Sequence, residues 1–209
     1  MLKIALTKGK LFDCALDLFE KAGIIVFKEV KNTRKLSFLD KDKNIEFSII
    51  RAFDVPTYVE YGACDIGIAG KDILLEQNKD LYEPLDLKFG HCKLVVAEPV
   101  DIARNDNIYS WSQVRIATKY PHITEKYFSE KGIQVEVIKL YGSVELAPLM
   151  GLSERIVDLV ETGKTLQENG LVVIEEMLDV TARLVVNRAS FKTKDKEISK
   201  FLNIIKAAL

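Results

Sequence analysis

The chain has 209 residues, 48% of them apolar, and 30 lysines and arginines against 31 aspartates and glutamates, for a net charge of −1. That supply of apolar side chains suffices for one large domain or two small ones, and the balanced charge makes the chain a poor candidate for a general nucleic-acid binder, which carries a basic surplus. Three widely spaced cysteines and two histidines form no CxxC pair and no HExxH spacing, excluding a disulfide framework, a structural zinc site and a histidine-rich metal centre.

Lysines interrupt the first apolar run before it reaches the length of a signal-peptide core. No later run approaches the roughly 20 residues of a bilayer span, so a cytoplasmic location without membrane contact is expected. Short β-branched runs alternate with segments of helical period, the pattern of α/β layers. Strands are predicted at 3–6, 45–50, 66–69, 93–97, 114–118, 135–140, 156–160, 171–175 and 183–187. Leu11, Ala15, Leu18, Phe19 and Ala22 share one helical face and Gly23 follows as a stop, predicting a helix over 11–22. Asp54 is placed to cap a short helix with Pro56 in its first turn and Gly62 at its end. Ile198, Phe201, Leu202, Ile205 and Leu209 form the stripe of a closing helix. Gly90, the strand after it and the polar run 101–112 put the start of a second lobe near residue 90. A return near residue 178 gives two connections that form a hinge over a cleft.

The strongest chemical signal is the apolar strand 156–160 running into Glu161, Thr162, Gly163, Lys164 and Thr165. Gly163 permits close approach of the backbone to an anion, successive N–H groups can form a nest, and Thr162 and Thr165 add hydroxyl donors. Asp158 and Glu161 would repel a phosphate but suit the hydroxyls of a sugar, so phosphate plus ribose is the ligand that fits both halves. A Walker A loop is rejected, because Asp158 stands where that motif needs its first glycine. A plain Thr-Gly turn after a buried strand is the competing reading. Lys8, Gly9 and Lys10 form a second glycine-bearing turn before a helix, where an anion is favoured, although solvated surface lysines would look the same. Arg51 ends another apolar run, at a strand end of the kind that binds ligands in α/β folds, or else pairs with Asp54. Gly70, Lys71 and Asp72 follow a third strand. Several basic, glycine-bearing strand ends in one chain imply a polyanionic substrate.

The stretch Glu145-Leu-Ala-Pro-Leu-Met-Gly-Leu-Ser-Glu-Arg-Ile-Val-Asp-Leu-Val-Glu-Thr-Gly-Lys-Thr-Leu166 resembles the signature of the ATP phosphoribosyltransferases, in their short form. The segments 51–60, 62–72, 140–145 and 179–187 are similar to other blocks of that family, and the likeness covers nearly the whole chain. Lys10 stands where arginine is common in the family, Thr7 where proline is common, and Ser153-Glu154 where Ala-Asp is common. The resemblance implies a two-lobed, periplasmic-binding-protein-like α/β fold of type II. Residues 1–89 with 179–209 would form the first lobe, and 90–178 the second. It implies magnesium-dependent transfer of the phosphoribosyl group from phosphoribosyl pyrophosphate to N1 of ATP, the first step of histidine biosynthesis, with the magnesium borne by substrate. Asp158, Glu161, Thr162, Gly163, Lys164 and Thr165, with Glu145, would bind the ribose and 5-phosphate. Lys8, Gly9, Lys10, Arg51, Gly70, Lys71 and Asp72 would face the pyrophosphate and nucleotide, and Arg34 would reach an active site, that of a neighbouring subunit included. The implied partners are a second copy of the chain and a histidyl-tRNA-synthetase-like regulatory subunit, in a hetero-octamer. A solute-binding module without turnover, or a phosphoribosyltransferase for another acceptor, are the alternatives.

Overall fold

The computed structural model describes residues 1–24, 35–40, 44–103 and 114–209. Its contacts divide the chain into two units, Met1–Gly90 with Thr181–Leu209, and His91–Val180. Among the described residues, no helix is long and apolar enough to cross a membrane.

The first unit is a six-stranded sheet of β1 (Leu2–Thr7), β2 (Ser37–Asp40), β3 (Ile45–Ile50), β4 (Ile66–Gly70), β5 (Leu81–Asp86) and β11 (Ala182–Asn187), in the order β2-β3-β1-β4-β11-β5. β3, β1 and β4 run parallel, and β11 lies antiparallel to β4 and β5. Because β1 and β4 are central, covering both faces demands near-continuous apolar runs, and β4 is buried at all five positions. One face is covered by α1 (Lys10–Lys21) and α9 (Asp195–Ala208), which pack Phe12, Leu16, Phe19, Ile198, Phe201 and Ile205 into a single core. Phe19 lies 5.4 Å from Phe47 and 6.2 Å from Phe201, ring centre to ring centre. The other face takes α2 (Val55–Glu60), whose Val55 and Val59 pack on Ala5, Ala69 and Val185. Gly67 permits that approach: a Cβ there would stand 2.8 Å from a methyl of each valine. The short α3 (Lys71–Gln77) and α8 (Arg188–Thr193) complete the unit.

The second unit holds β6 (Cys92–Pro99), β7 (Val114–Thr118), β8 (Val135–Lys139), β9 (Arg155–Val160) and β10 (Leu171–Val180), in the order β10-β6-β9-β7-β8. β9, β7 and β8 are parallel, while β6 runs antiparallel to β9 and β10. Val95, Ala97, Ala117, Val144, Ala147, Ile156, Leu166 and Leu171 form one core cluster under α6 (Leu146–Leu149) and α7 (Lys164–Glu168). The helices α4 (Val100–Ala103) and α5 (Pro121–Glu130) are the others described.

The structure differs from the sequence expectation in several places. β2 and β5 were not expected; both are edge strands, and Pro84 inside β5 is tolerated there because an edge needs no inner ladder donor. β10 continues past Glu175 to Val180 through two register shifts, which carry a charged stretch that breaks strict alternation. Asp54 does not cap α2 with its side chain; a 3-10 turn over Ala52–Asp54 leads into the helix instead. Leu209 ends the closing stripe half exposed, because α9 stops at Ala208.

Candidate active site

On the first unit the nominated residues gather at the carboxyl ends of the parallel strands. Thr7 pairs with Ile50 in the last rung between β1 and β3, so Lys8 and Arg51 leave the sheet side by side. On the other flank of β1, Ala5 lies opposite Gly67, and three residues further on Lys8 and Gly70 come level. Lys8 and Arg51 are exposed, and Arg51 makes no ion pair with Asp54 among the described residues. Its carbonyl instead accepts from the N–H groups of Asp54 (2.8 Å) and Val55 (3.2 Å), which starts the turn into α2. Gly9 holds φ 92°, a backbone that side-chain-bearing residues rarely adopt, and it opens α1 with Lys10 as the first helical residue. Cations beside a helix N-terminus oppose the helix dipole, so Lys8 and Lys10 concentrate positive potential where an anion is favoured.

The turn after β4 is occupied by its own protein. Asp72 is buried, and a Cβ on Gly70 would stand 2.1 Å from its carboxylate, so only glycine admits that fold-back. Lys71 donates its N–H to the Thr181 carbonyl at 3.0 Å and places its ammonium 2.7 Å from Glu83. Arg34 lies outside the described residues.

On the second unit the same edge is built by β7, β8 and β9. Thr118 pairs with Val157 and with Lys139, so Lys119 comes level with Asp158, and the chain after β8 leads to Glu145. Thr118 is locked beneath them: its hydroxyl donates to the Val157 carbonyl (2.7 Å) and accepts from the Tyr120 N–H (2.9 Å). Gly163 adopts the left-handed conformation at φ 76° and starts α7, which Leu166 pins into the core. Glu161, Thr162, Lys164 and Thr165 are left exposed around it. The Thr162 hydroxyl accepts from the Lys164 N–H at 3.5 Å, a weak contact that a phosphate would readily replace. Asp158 is partly buried. Its Oδ1 accepts from the Leu159 N–H at 2.8 Å. Burial raises its pKa to about 6; the Leu159 hydrogen bond and the Lys119 charge work against that rise, and the Glu145 charge adds to it. The pair Asp158 and Glu145 can therefore accept hydrogen bonds from sugar hydroxyls, with Lys119 alongside. Lys119 was missed from sequence because it is one lysine after a strand, and only the β7–β9 register brings it to Asp158. Glu154, at a position where the chain departs from its family, lies off this edge and clasps Arg115, Oε1 to Nη2 at 2.6 Å.

The model of the HisG family, ATP phosphoribosyltransferase, matches residues 51–207. The chain belongs to the ATP phosphoribosyltransferase family. It is 59% identical over 201 residues to the ATP phosphoribosyltransferase of Geobacter metallireducens, covering 96% of this chain and 95% of that one. Among solved structures it is similar to the ATP phosphoribosyl transferase (HisG:HisZ) complex from Thermotoga maritima, with a TM-score of 0.84 at 37% identity, over 100% of this chain and 98% of the other. The alkanesulfonate-binding protein SsuA from Xanthomonas axonopodis pv. citri shares the fold alone, with a TM-score of 0.56 at 11% identity over 99% and 72% of the chains. The fold class is thus that of the two-lobed, type II periplasmic-binding proteins, as expected from sequence.

Proposed function

We propose that this family member joins the N1 of ATP to the anomeric carbon of phosphoribosyl pyrophosphate, as the first step of histidine biosynthesis. The adenine N1 lone pair forms the new N–C bond while the C–O bond breaks and its electron pair leaves with pyrophosphate. Adenine N1 is already a nucleophile, so the protein's work is to orient the reactants and to stabilise charge on the leaving group. Lys8 and Arg51 supply that charge, with Gly9 and Lys10 cradling the anion at the start of α1. The main chain of the turn from Gly70 to Asp72 walls the nucleotide side, with the Lys71 ammonium on Glu83, and Arg34 contributes a further cation. Asp158 and Glu145 hold the ribose hydroxyls with Glu161. Thr162, Gly163, Lys164 and Thr165 hold the 5-phosphate.

Among the described residues no three acidic, histidine or cysteine side chains cluster as a metal site. Magnesium enters with the substrate, carried by its phosphate oxygens. The two lobes are taken as 1–89 with 179–209, and 90–178. Likeness to the HisG:HisZ complex supports assembly with a histidyl-tRNA-synthetase-like regulatory subunit around a dimer of this chain, in a hetero-octamer in the cytoplasm.

The observation that carries this reading is the whole-length likeness to ATP phosphoribosyltransferases together with an exposed phosphoribosyl loop beside Asp158. Likeness to a solute-binding protein favours one alternative, a binding module without turnover. Product formation decides between them: phosphoribosyl-ATP identified by mass, requiring both substrates, supports the enzyme, and binding without product supports the module.

A further inference from the structure

A group of charges on the first unit adjoins the turn after β4. Lys71 Nζ lies 2.7 Å from Glu83 Oε2, Arg183 Nε lies 3.5 Å from Glu83 Oε1, and Arg183 Nη2 lies 3.3 Å from Asp86 Oδ2. Asp86 also accepts from the Thr181 hydroxyl at 2.9 Å and from the Lys88 N–H and ammonium at 3.0 Å each. Burial opposes its charge, yet these donors hold its pKa down at about 2. The side chains of the four linked residues are 19–27% exposed, so solvent screens them only in part.

Their place in the fold gives the group a task. The chain leaves the first unit after Gly90 and re-enters it at Thr181. Next to these crossings, Leu87 N–H donates to the Ala182 carbonyl and Ala182 N–H to the Phe89 carbonyl, both at 2.9 Å, while Lys71 N–H holds the Thr181 carbonyl. Lys71 is therefore tied to the crossings twice, through its main chain and through Glu83. The strand order sets Lys8 and Arg51 on one side of β4 and Glu83 on the other, beyond β11. The Lys71 ammonium points away from the candidate anion ligands.

We propose that Glu83 is a positioning residue for the phosphoribosyl transfer, and that Lys71 serves the reaction through a Lys71–Glu83–Arg183–Asp86 brace on the two crossings, not as a direct ligand of substrate phosphate. This rests on the functional reading above, in which the first unit's edge takes nucleotide and pyrophosphate. A linked set of partly buried charges stabilises more than an isolated surface pair. Loosening it frees the main chain of the Gly70 turn, which Lys71 N–H and the Thr181 carbonyl hold together, and with it the placing of the nucleotide.

The test uses full-length Lys71→Met, Glu83→Gln, the double variant and Lys71→Arg, with two readouts. Hydrogen exchange in peptides covering 86–91 and 180–183 reports the brace directly. Steady-state kinetics separate kcat from KM. In both single variants exchange at the crossings speeds up by about 3- to 10-fold and kcat falls by a similar factor, the scale of losing one such ion pair, while KM for either substrate changes less than about 2-fold. The double variant is no worse than Glu83→Gln alone, which already removes the Lys71 link together with the Arg183 contact, and Lys71→Arg restores both readouts. Unchanged exchange at the crossings would refute the brace. So would a Lys71→Met variant whose KM rises about 10-fold or more beside a near-normal Glu83→Gln, which would make Lys71 a direct ligand. The exchange readout stands whether or not the wild type turns over these substrates, so failure of the brace and failure of the functional reading are distinguishable.

Discussion

Lys8 and Arg51 stand at one level on neighbouring parallel strands, because Thr7 and Ile50 form the last rung beneath them. Neither side chain has a partner among the described residues, and both lie at the carboxyl ends of strands, where α/β sheets bind ligands. Main-chain register sets the two cations side by side, where both can meet charge developing on a leaving group. Arg51→Ala is expected to lower kcat by about 100-fold, the scale of losing one preorganised charge donor, with little change in melting temperature. Near-normal turnover would remove Arg51 from the chemistry.

Thr162 and Thr165 offer hydroxyls at the loop after β9, the proposed phosphoribosyl site, and neither packs in the core. Thr162→Ala and Thr165→Ala should each raise KM for phosphoribosyl pyrophosphate about 10-fold or more, as for one lost hydrogen bond to a charged group, and raise KM for ATP less. Equal effects on both substrates, with a lowered melting temperature, would point to a folding defect.

Burial raises the pKa of Asp158 to about 6. Only its ionised form accepts hydrogen bonds with both oxygens, so KM for phosphoribosyl pyrophosphate should rise as pH falls through about 6. Lys119→Met removes a charge that favours ionisation and should move that midpoint upward. The effect on stability has the opposite sense. Between its ordinary value of 3.8 and about 6 the folded chain keeps a proton that the unfolded chain has lost, so this group's contribution declines as pH rises across that window. Asp158→Asn should then melt higher than wild type at pH 7.5 while binding phosphoribosyl pyrophosphate more weakly. A lower melting temperature in that variant would contradict the assigned environment.

Gly67 is where α2 meets β4. Gly67→Ala places a methyl 2.8 Å from Val55 and Val59, and overpacking of this kind costs about 1–3 kcal/mol. Urea unfolding should show that loss. Full stability would mean that α2 can shift without penalty.

Most of the sheet was readable because its inner strands must be apolar on both faces: 45–50 and 114–118 were delimited from β-branched runs alone, and the structure places β3 and β7 there. The two edge strands of the first sheet escaped for the converse reason. Ser37–Asp40 is short and half polar, and Leu81–Asp86 contains a proline, so neither has the pattern that burial imposes. The glycine-bearing turns after β1, β4 and β9 were likewise visible, since φ of 92° at Gly9 and 76° at Gly163 restricts the choice of residue. What sequence could not show is which side chains find each other across strands. Lys71 looks like a phosphate ligand beside Gly70, and only the order β4-β11-β5 shows that its ammonium meets Glu83.

The most direct measurement is pyrophosphate release by the purified chain given ATP, phosphoribosyl pyrophosphate and magnesium, with and without a histidyl-tRNA-synthetase-like subunit, the product being identified by mass. Phosphoribosyl-ATP that forms only when both substrates are present, and faster with the partner, is the predicted result. A folded chain that binds nucleotide yet yields no phosphoribosyl-ATP in either condition would contradict it.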